Sequence, residues 1–180
     1  MTSPQTMTMG EVAATPSAWN ARRLFWMLAL VAWPMVLLDQ ASKFLITTHL
    51  ALYQEITLIP NFLAITYTLN PGAAFSLFAT MQPIVRDGIL SGLSLAAIIL
   101  LMVLLLRGRQ PGAVSLAYGL ILGGAAGNLF DRIAYGRVID FIFVHYYAWT
   151  YPVFNLADSA ITIGAAIILI HAIFFDRRSA

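Results

Sequence analysis

Aspartates are the residues of this chain with the clearest capacity for chemistry. Two Asp side chains held close together cannot both ionise, so one keeps its proton while the other takes a proton from water. Such a pair hydrolyses peptides without a metal or a covalent intermediate. Charged groups near a bilayer are costly and usually functional. Of the eight carboxylates, six lie at or between the outer ends of long apolar segments: Asp39, Glu55, Asp87, Asp131, Asp140 and Asp158.

Other hydrolytic chemistries fit the sequence less well. The chain has no cysteine, which excludes a thiol nucleophile and a disulfide. Ser42 and Lys43 are neighbours and point in different directions on a helix, which disfavours a Ser-Lys dyad. The three histidines lack zinc-binding spacing, so we predict no metal and no cofactor. The acids that remain open as a catalytic pair are Asp39, Asp131, Asp140 and Asp158.

Long apolar segments must position these acids. Apolar residues make up 60% of the chain and charged residues 10%, against about 25% charged in soluble domains. We predict membrane spans at about 24–46, 87–106, 113–131 and 156–175, each able to cross about 30 Å of hydrocarbon. Residues 1–20 are predicted to be a disordered cytoplasmic tail, and residues 21–180 one membrane domain. No basic stripe is present, which argues against nucleic-acid binding.

Basic residues predict the orientation of the spans. Arginines at 22–23, 107–109 and 177–178 all fall on one side if both termini are cytoplasmic. The connections 48–83 and 132–153 are then extracytoplasmic. Alternation of apolar and polar residues at 55–59 and 65–69 predicts a small sheet on the outer surface. The rings between 146 and 151 predict an interfacial aromatic belt.

Helical spacing groups the remaining polar residues. Asp39 and Lys43 are four apart in the order that favours an ion pair. Gly119, Gly123 and Gly127 recur every fourth residue, which predicts close packing of another helix. On the third span, Asn128 lies three residues before Asp131 and four before Arg132, so these side chains share one helical face. On the fourth span, Asn155 lies three residues before Asp158.

Five motifs occur along the chain in a specific order, and together they resemble lipoprotein signal peptidase (signal peptidase II) over roughly residues 24–175. The resemblance implies an all-α membrane bundle of four transmembrane helices. It also implies a small extracytoplasmic β-sheet that forms a cradle, and an outer loop or short helix over the active site. The motifs are Asp39-Gln40-Ala41-Ser42-Lys43, Asn70-Pro71-Gly72-Ala73-Ala74-Phe75, Gly127-Asn128-Leu129-Phe130-Asp131-Arg132, Val138-Ile139-Asp140-Phe141 and Phe154-Asn155-Leu156-Ala157-Asp158-Ser159.

The same resemblance implies a reaction. Asp140 and Asp158 would form the catalytic dyad of an aspartic endopeptidase in the bacterial inner membrane. The substrate would be a diacylglyceryl-modified prolipoprotein, cut before its lipidated cysteine at the extracytoplasmic face. We further expect a monomer in contact with membrane lipids and inhibited by the cyclic peptide globomycin. The residues expected to support the cradle, orient the acids or contact substrate are Asp39, Lys43, Asn70, Gly72, Asn128, Asp131, Arg132 and Asn155.

Simpler interpretations stand beside each assignment. Asp39 and Lys43 could form only a structural ion pair. Asp131 and Arg132 could only cap and anchor the end of the third span. Asp158 could be only an N-terminal cap. Two functions of other classes stay open. One is a small proton-coupled transporter that uses the same acids, and the other is a non-catalytic lipid-binding chaperone that binds lipoprotein precursors and leaves them uncut. Gly72 and its small neighbours beside Phe75 further predict a mobile lid over the site.

Overall fold

Helices and a small sheet account for nearly all of the described chain. The computed structural model describes residues 18–72, 81–108, 110 and 112–175. The helices are α1 (Ala18–Met27), α2 (Trp33–His49), α3 (Pro83–Arg107), α4 (Gly112–Tyr135) and α5 (Leu156–Phe174), and a π-helical turn (Leu28–Ala32) joins α1 to α2. The strands are β1 (Glu55–Ile59), β2 (Leu63–Asn70), β3 (Val138–Tyr146) and β4 (Trp149–Thr150).

Four helical segments are long and apolar enough to cross a membrane. They run over Ala21–His49, Pro83–Arg107, Gly112–Tyr135 and Leu156–Phe174, and each matches a predicted span within about five residues. The predicted all-α membrane fold with a small sheet is confirmed. Most of the predicted tail, and the lid around Phe75, fall outside the described residues.

The first span changes its helical register in the middle. Pro34 has no N–H, and its ring clashes with the carbonyl four residues earlier in a regular α-helix. The π-helical turn immediately precedes it and widens the helix at that point. This widened turn lies on the predicted glycine face of α4. A Cβ at Gly119 would come within 2.9 Å of Val31, and one at Gly123 within 2.7 Å of the Ala32 carbonyl oxygen.

α4 is the centre of the bundle. Half of its 24 residues are buried, whereas α3 and α5 each bury only three. α3 and α5 both pack on α4, yet their backbones do not approach each other closely anywhere in the described part of the chain. The bundle therefore leaves a lateral gap between α3 and α5, with α4 as its floor.

The strands form one antiparallel sheet in the order β1-β2-β3-β4. The predicted β1–β2 hairpin is confirmed, with Glu55 opposite Thr66. The second connection also contains strands, which the aromatic-belt interpretation did not foresee. β3 pairs with β2 so that Thr68 lies opposite Asp140 and Asn70 opposite Val138. This pairing joins the two connections and brings β3 to the end of α4.

Candidate active site

Asp140 and Asp158 come from different elements and meet at the sheet end of the bundle. Asp140 lies on β3, where its side chain is almost completely buried at 1% exposure. Asp158 is in the first turn of α5. Burial raises the pKa of Asp140, and the negative charge of Asp158 raises it further. Two carboxylates 18 positions apart in the chain are therefore electrostatic neighbours.

Asn155 links the two aspartates. Its side-chain amide donates to Asp140 Oδ1 at 2.7 Å, and its side-chain oxygen accepts from the Asp158 backbone N–H at 2.9 Å. The Asn155 backbone N–H in turn donates to Asp158 Oδ2 at 3.3 Å, which completes a capping box. Asp158 therefore caps the N-terminus of α5, as the simpler interpretation held, and Asn155 joins it to Asp140.

Two further amides fix the remaining carboxylate oxygens. Asn70 donates to Asp140 Oδ2 at 2.8 Å, and Asn128 donates to Asp158 Oδ1 at 2.7 Å. Asn70 also accepts from the Gly72 backbone N–H at 2.8 Å and so shapes the turn that follows β2. Gly72 has φ +95°, a left-handed conformation that favours glycine. Each carboxylate is therefore held at both oxygens.

The environment of Asp140 favours its protonated form. Burial, followed by the negative charge of Asp158, raises the pKa of Asp140 from its ordinary value of 3.8 to about 7. The hydrogen bonds from Asn70 and Asn155 and the positive charge of Lys43 oppose this rise. Near neutral pH Asp140 is thus able to carry the shared proton, as a general acid in a carboxylate pair must.

A buried ion cluster lies behind the pair. Lys43 Nζ contacts Asp39 Oδ2 at 2.7 Å and Asp131 Oδ2 at 2.8 Å, and all three side chains are at most 1% exposed. Lys43 also donates to Asn128 Oδ1 at 3.2 Å, which connects the cluster to the amide that binds Asp158. The predicted Asp39–Lys43 pair is present, and Asp131 completes it.

The ion cluster anchors both elements that carry the candidate acids. Asp131 Oδ2 accepts from the backbone N–H of Ile139, the residue before Asp140, at 3.1 Å. Asp39 Oδ1 accepts from the backbone N–H of Ala157, the residue before Asp158, at 3.0 Å. One cluster therefore sets the position of β3 and of the first turn of α5 together.

Gln40 is a contributor that the sequence did not reveal. Its side-chain amide donates to Asp131 Oδ1 at 2.8 Å and contacts the Gly127 carbonyl oxygen at 3.3 Å. A Cβ at Gly127 would lie 2.5 Å from Asp39 Oδ2, so only glycine leaves room for the cluster. Gln40 stands inside the first motif, but no charge or spacing marked it out.

An inner cavity of about 260 Å³ opens beside Asp158 and reaches toward the gap between α3 and α5. Arg132 borders this cavity together with Asp158. The Arg132 guanidinium approaches the Asn128 carbonyl oxygen at 3.4 Å and Ser94 Oγ at 3.5 Å. The lining residues are Asn70, Gly72, Leu90, Asn128, Arg132, Val138, Tyr151, Pro152, Val153, Phe154 and Asp158.

All ten residues predicted for the site lie in or beside this network. All ten are joined by the hydrogen bonds and ion pairs given above, and Gly72 and Arg132 also line the inner cavity. Ser42, weighed as a nucleophile, donates to the Asp39 carbonyl oxygen at 2.7 Å. Within the described ranges, no three His, Asp or Glu side chains are grouped so as to hold a metal ion.

Comparison with known proteins agrees with this architecture. A lipoprotein signal peptidase of Yersinia enterocolitica is 45% identical over 148 residues, which cover 82% of this chain and 84% of the relative. One of Desulforapulum autotrophicum is 42% identical over 149 residues, covering 82% and 91%. A bacterial membrane enzyme solved by the in meso method at 2.3 Å resolution is 26% identical and superposes with a TM-score of 0.72 over 92% of this chain and 94% of its own.

A family model described as signal peptidase (SPase) II matches residues 31–174. That range contains all ten predicted site residues and all four described strands. The chain belongs to the signal peptidase II family of aspartic peptidases.

Proposed function

We propose that this enzyme removes the signal peptide from diacylglyceryl-modified prolipoproteins by cutting before the lipidated cysteine, with Asp140 and Asp158 as its catalytic dyad. The observation that carries the proposal is the contact between the two acids through Asn155, which donates to Asp140 Oδ1 at 2.7 Å while capping Asp158. The other two candidate acids, Asp39 and Asp131, are both ion-paired with Lys43.

The ionisation of the dyad assigns the roles. Asp158 borders the inner cavity near the positive charge of Arg132, and it acts as the base that takes a proton from water. The resulting hydroxide attacks the scissile carbonyl. Asp140, whose pKa is about 7, is protonated and donates a hydrogen bond to the developing oxyanion.

Collapse of the tetrahedral intermediate completes the reaction. The C–N bond breaks as Asp158 returns its proton to the departing amine of the cysteine, and the signal peptide leaves with a new carboxylate. Asp140 keeps its proton throughout, and its hydrogen bond to the oxygen weakens as the carbonyl re-forms. No metal or covalent enzyme intermediate is needed to balance these steps.

The membrane geometry supports substrate access from the bilayer. The gap between α3 and α5 leads laterally to the inner cavity, so the apolar segment of a signal peptide can lie against α4. We place the dyad at the extracytoplasmic face with both termini in the cytoplasm. The supporting observation is that Arg22, Arg23 and Arg107 lie at the helix ends opposite the dyad.

The test is precursor processing by matched variants. Asp140→Asn and Asp158→Asn each keep side-chain size and remove the acid, and each is expected to lower cleavage of a lipidated precursor by about 10²–10⁴-fold or more while the protein still accumulates in the membrane. Asp131→Asn is the control, because it removes an acid of the ion cluster and no hydrogen bond to either dyad carboxylate, and it is expected to retain measurable cleavage. Normal processing by either dyad variant would refute the proposal.

A further inference from the structure

A second groove begins at Asp158 on the outer surface of α5, and nothing in the reaction above uses it. It has a volume of about 340 Å³ and is separate from the inner cavity, although Asp158, Tyr151 and Phe154 border both. Its own lining continues down the helix through Ser159, Thr162 and Ile163. We call it the outer groove.

The outer groove faces away from the protein core. Ala157, Ala160 and Gly164 are the buried side of α5, and a Cβ at Gly164 would meet the Ala117 carbonyl oxygen of α4 at 2.8 Å. Thr162 and Ile163 lie on the opposite side of the helix, where Ile163 is 53% exposed. Because α5 is one of the membrane spans, this side is available to lipid.

Two rings roof the outer groove at the sheet end. Tyr151 and Phe154 pack edge to face with ring centroids 5.8 Å apart. Phe154 is fixed by the backbone, because its N–H donates to the Ile142 carbonyl oxygen and its own carbonyl accepts from Phe141 and Ile142. The roof is therefore attached to β3, the strand that carries Asp140.

The two cavities differ in chemistry. The inner cavity includes Asn70, Asn128 and Arg132, which suit the polar backbone of a peptide. The outer groove combines rings and Ile163 with Thr162 and with Ser159, whose hydroxyl donates to the Asn155 carbonyl oxygen at 3.0 Å. Apolar walls with a threonine hydroxyl among them suit an ester-linked acyl chain, whose carbonyl accepts hydrogen bonds and whose tail requires burial.

We propose that the outer groove binds the glycerol ester and the first part of the acyl chains of the diacylglyceryl cysteine. The inference rests on the proposed function, which supplies the substrate. Successive side chains of an extended peptide point to opposite faces. A substrate bound across the dyad therefore directs the side chain before the scissile bond and the lipidated cysteine in opposite directions, toward the two cavities that meet at Asp158.

The dimensions agree with this assignment. From Asp158 to Ile163 the helix rises about 7.5 Å, enough for the glycerol and the first methylene groups. The remaining acyl length continues into the bilayer along α5.

A larger groove of about 680 Å³ lies between the first span, α3 and α4. Leu122, Ala126 and Phe130 of α4 line it, on the helix side opposite Asn128. That groove is separated from the dyad by α4.

The experiment compares cleavage of two precursor peptides, one with two long acyl chains and one with two acetyl groups on the glycerol. Ile163→Trp fills the outer groove, and Leu37→Trp is the control because it fills the larger groove on the first span. We expect Ile163→Trp to lower the long-to-short ratio of kcat/KM by about tenfold, since loss of burial of as few as two methylene groups lowers binding by that factor. Leu37→Trp is expected to leave the ratio unchanged.

The outcomes separate the two proposals. A wild-type enzyme that cleaves neither peptide would overturn the proposed function, and this inference would fall with it. If the wild type cleaves both but Ile163→Trp leaves the ratio unchanged, or Leu37→Trp lowers it instead, only the outer-groove assignment is wrong. Ile163→Phe, a smaller change at the same lipid-facing position, is expected to shift the ratio in the same direction and guards against misfolding of the Trp variant.

Discussion

Removing the side-chain amide of Asn70 should move the pH dependence of cleavage toward higher pH. Asn70 donates to Asp140 Oδ2 at 2.8 Å, and this bond favours the ionised form of Asp140. In Asn70→Ala the bond is absent, so the pKa of Asp140 rises further above 7. Because the reaction requires Asp140 to hold its proton, activity is present below that pKa and is lost as the pH rises through it.

The size of the effect follows from the burial of Asp140. A hydrogen bond to a charged group contributes about 1.5–3 kcal/mol, and one pKa unit corresponds to about 1.4 kcal/mol. Asn70 itself is half-buried, so water can replace part of the lost bond. We therefore expect the alkaline limb of kcat/KM, near pH 7 in the wild type, to rise by about one pH unit.

The assay is cleavage of a lipidated precursor peptide by purified enzyme between pH 5 and 9. The matched control is Thr68→Val, which keeps side-chain shape and removes a bond from Thr68 Oγ1 to the Asp140 backbone oxygen at 3.2 Å, not to its carboxylate. The control should lower activity slightly at most and leave the limb in place. If the alkaline limb of kcat/KM in Asn70→Ala is unchanged or moves to lower pH, the assignment of Asp140 as the acid is refuted.

Two further predictions concern the buried ion cluster. Lys43→Met leaves Asp39 and Asp131 without their cation, and it should lower the free energy of unfolding by about 3–5 kcal/mol in detergent; an unchanged unfolding midpoint would contradict the cluster. Gly127→Ala places a Cβ 2.5 Å from Asp39 Oδ2 and should cost about 1–3 kcal/mol, measured in the same way. Its control, Gly92→Ala, has nothing within 4 Å of the added Cβ, so an equal loss there would show that the contact with Asp39 is not the cause.

The spans and one hairpin could be predicted because their signals are local. An uninterrupted apolar run such as 89–106 needs no knowledge of the rest of the chain, and strict alternation identified β1 and β2. β3 was missed because its first four residues are all buried, which removes the alternation, and its later part merges with a run of rings. A strand whose partner lies 70 residues away leaves no periodic mark of its own.

In the candidate site, too, local spacing was predictable and contacts between distant parts of the chain were not. The four-residue spacing of Asp39 and Lys43 predicted their ion pair, whereas the third member, Asp131, depends on how α4 packs against α2. The motif resemblance selected Asp140 and Asp158 from four candidate acids, which spacing alone had left open. The motifs included Asn155 among the residues that support the site, but residue spacing showed only its offset to Asp158. Its contacts with β3 exist only after the sheet has formed.

The most direct test of the dyad is an experimental structure of the enzyme that resolves ordered water beside Asp158. We predict one water molecule within hydrogen-bonding distance of a carboxylate oxygen from each of Asp140 and Asp158, while Asn70, Asn128 and Asn155 keep the hydrogen bonds described above. A structure in which the two carboxyl groups share no water, each turned toward a separate partner and too far apart for a peptide carbonyl to bridge them, would contradict it.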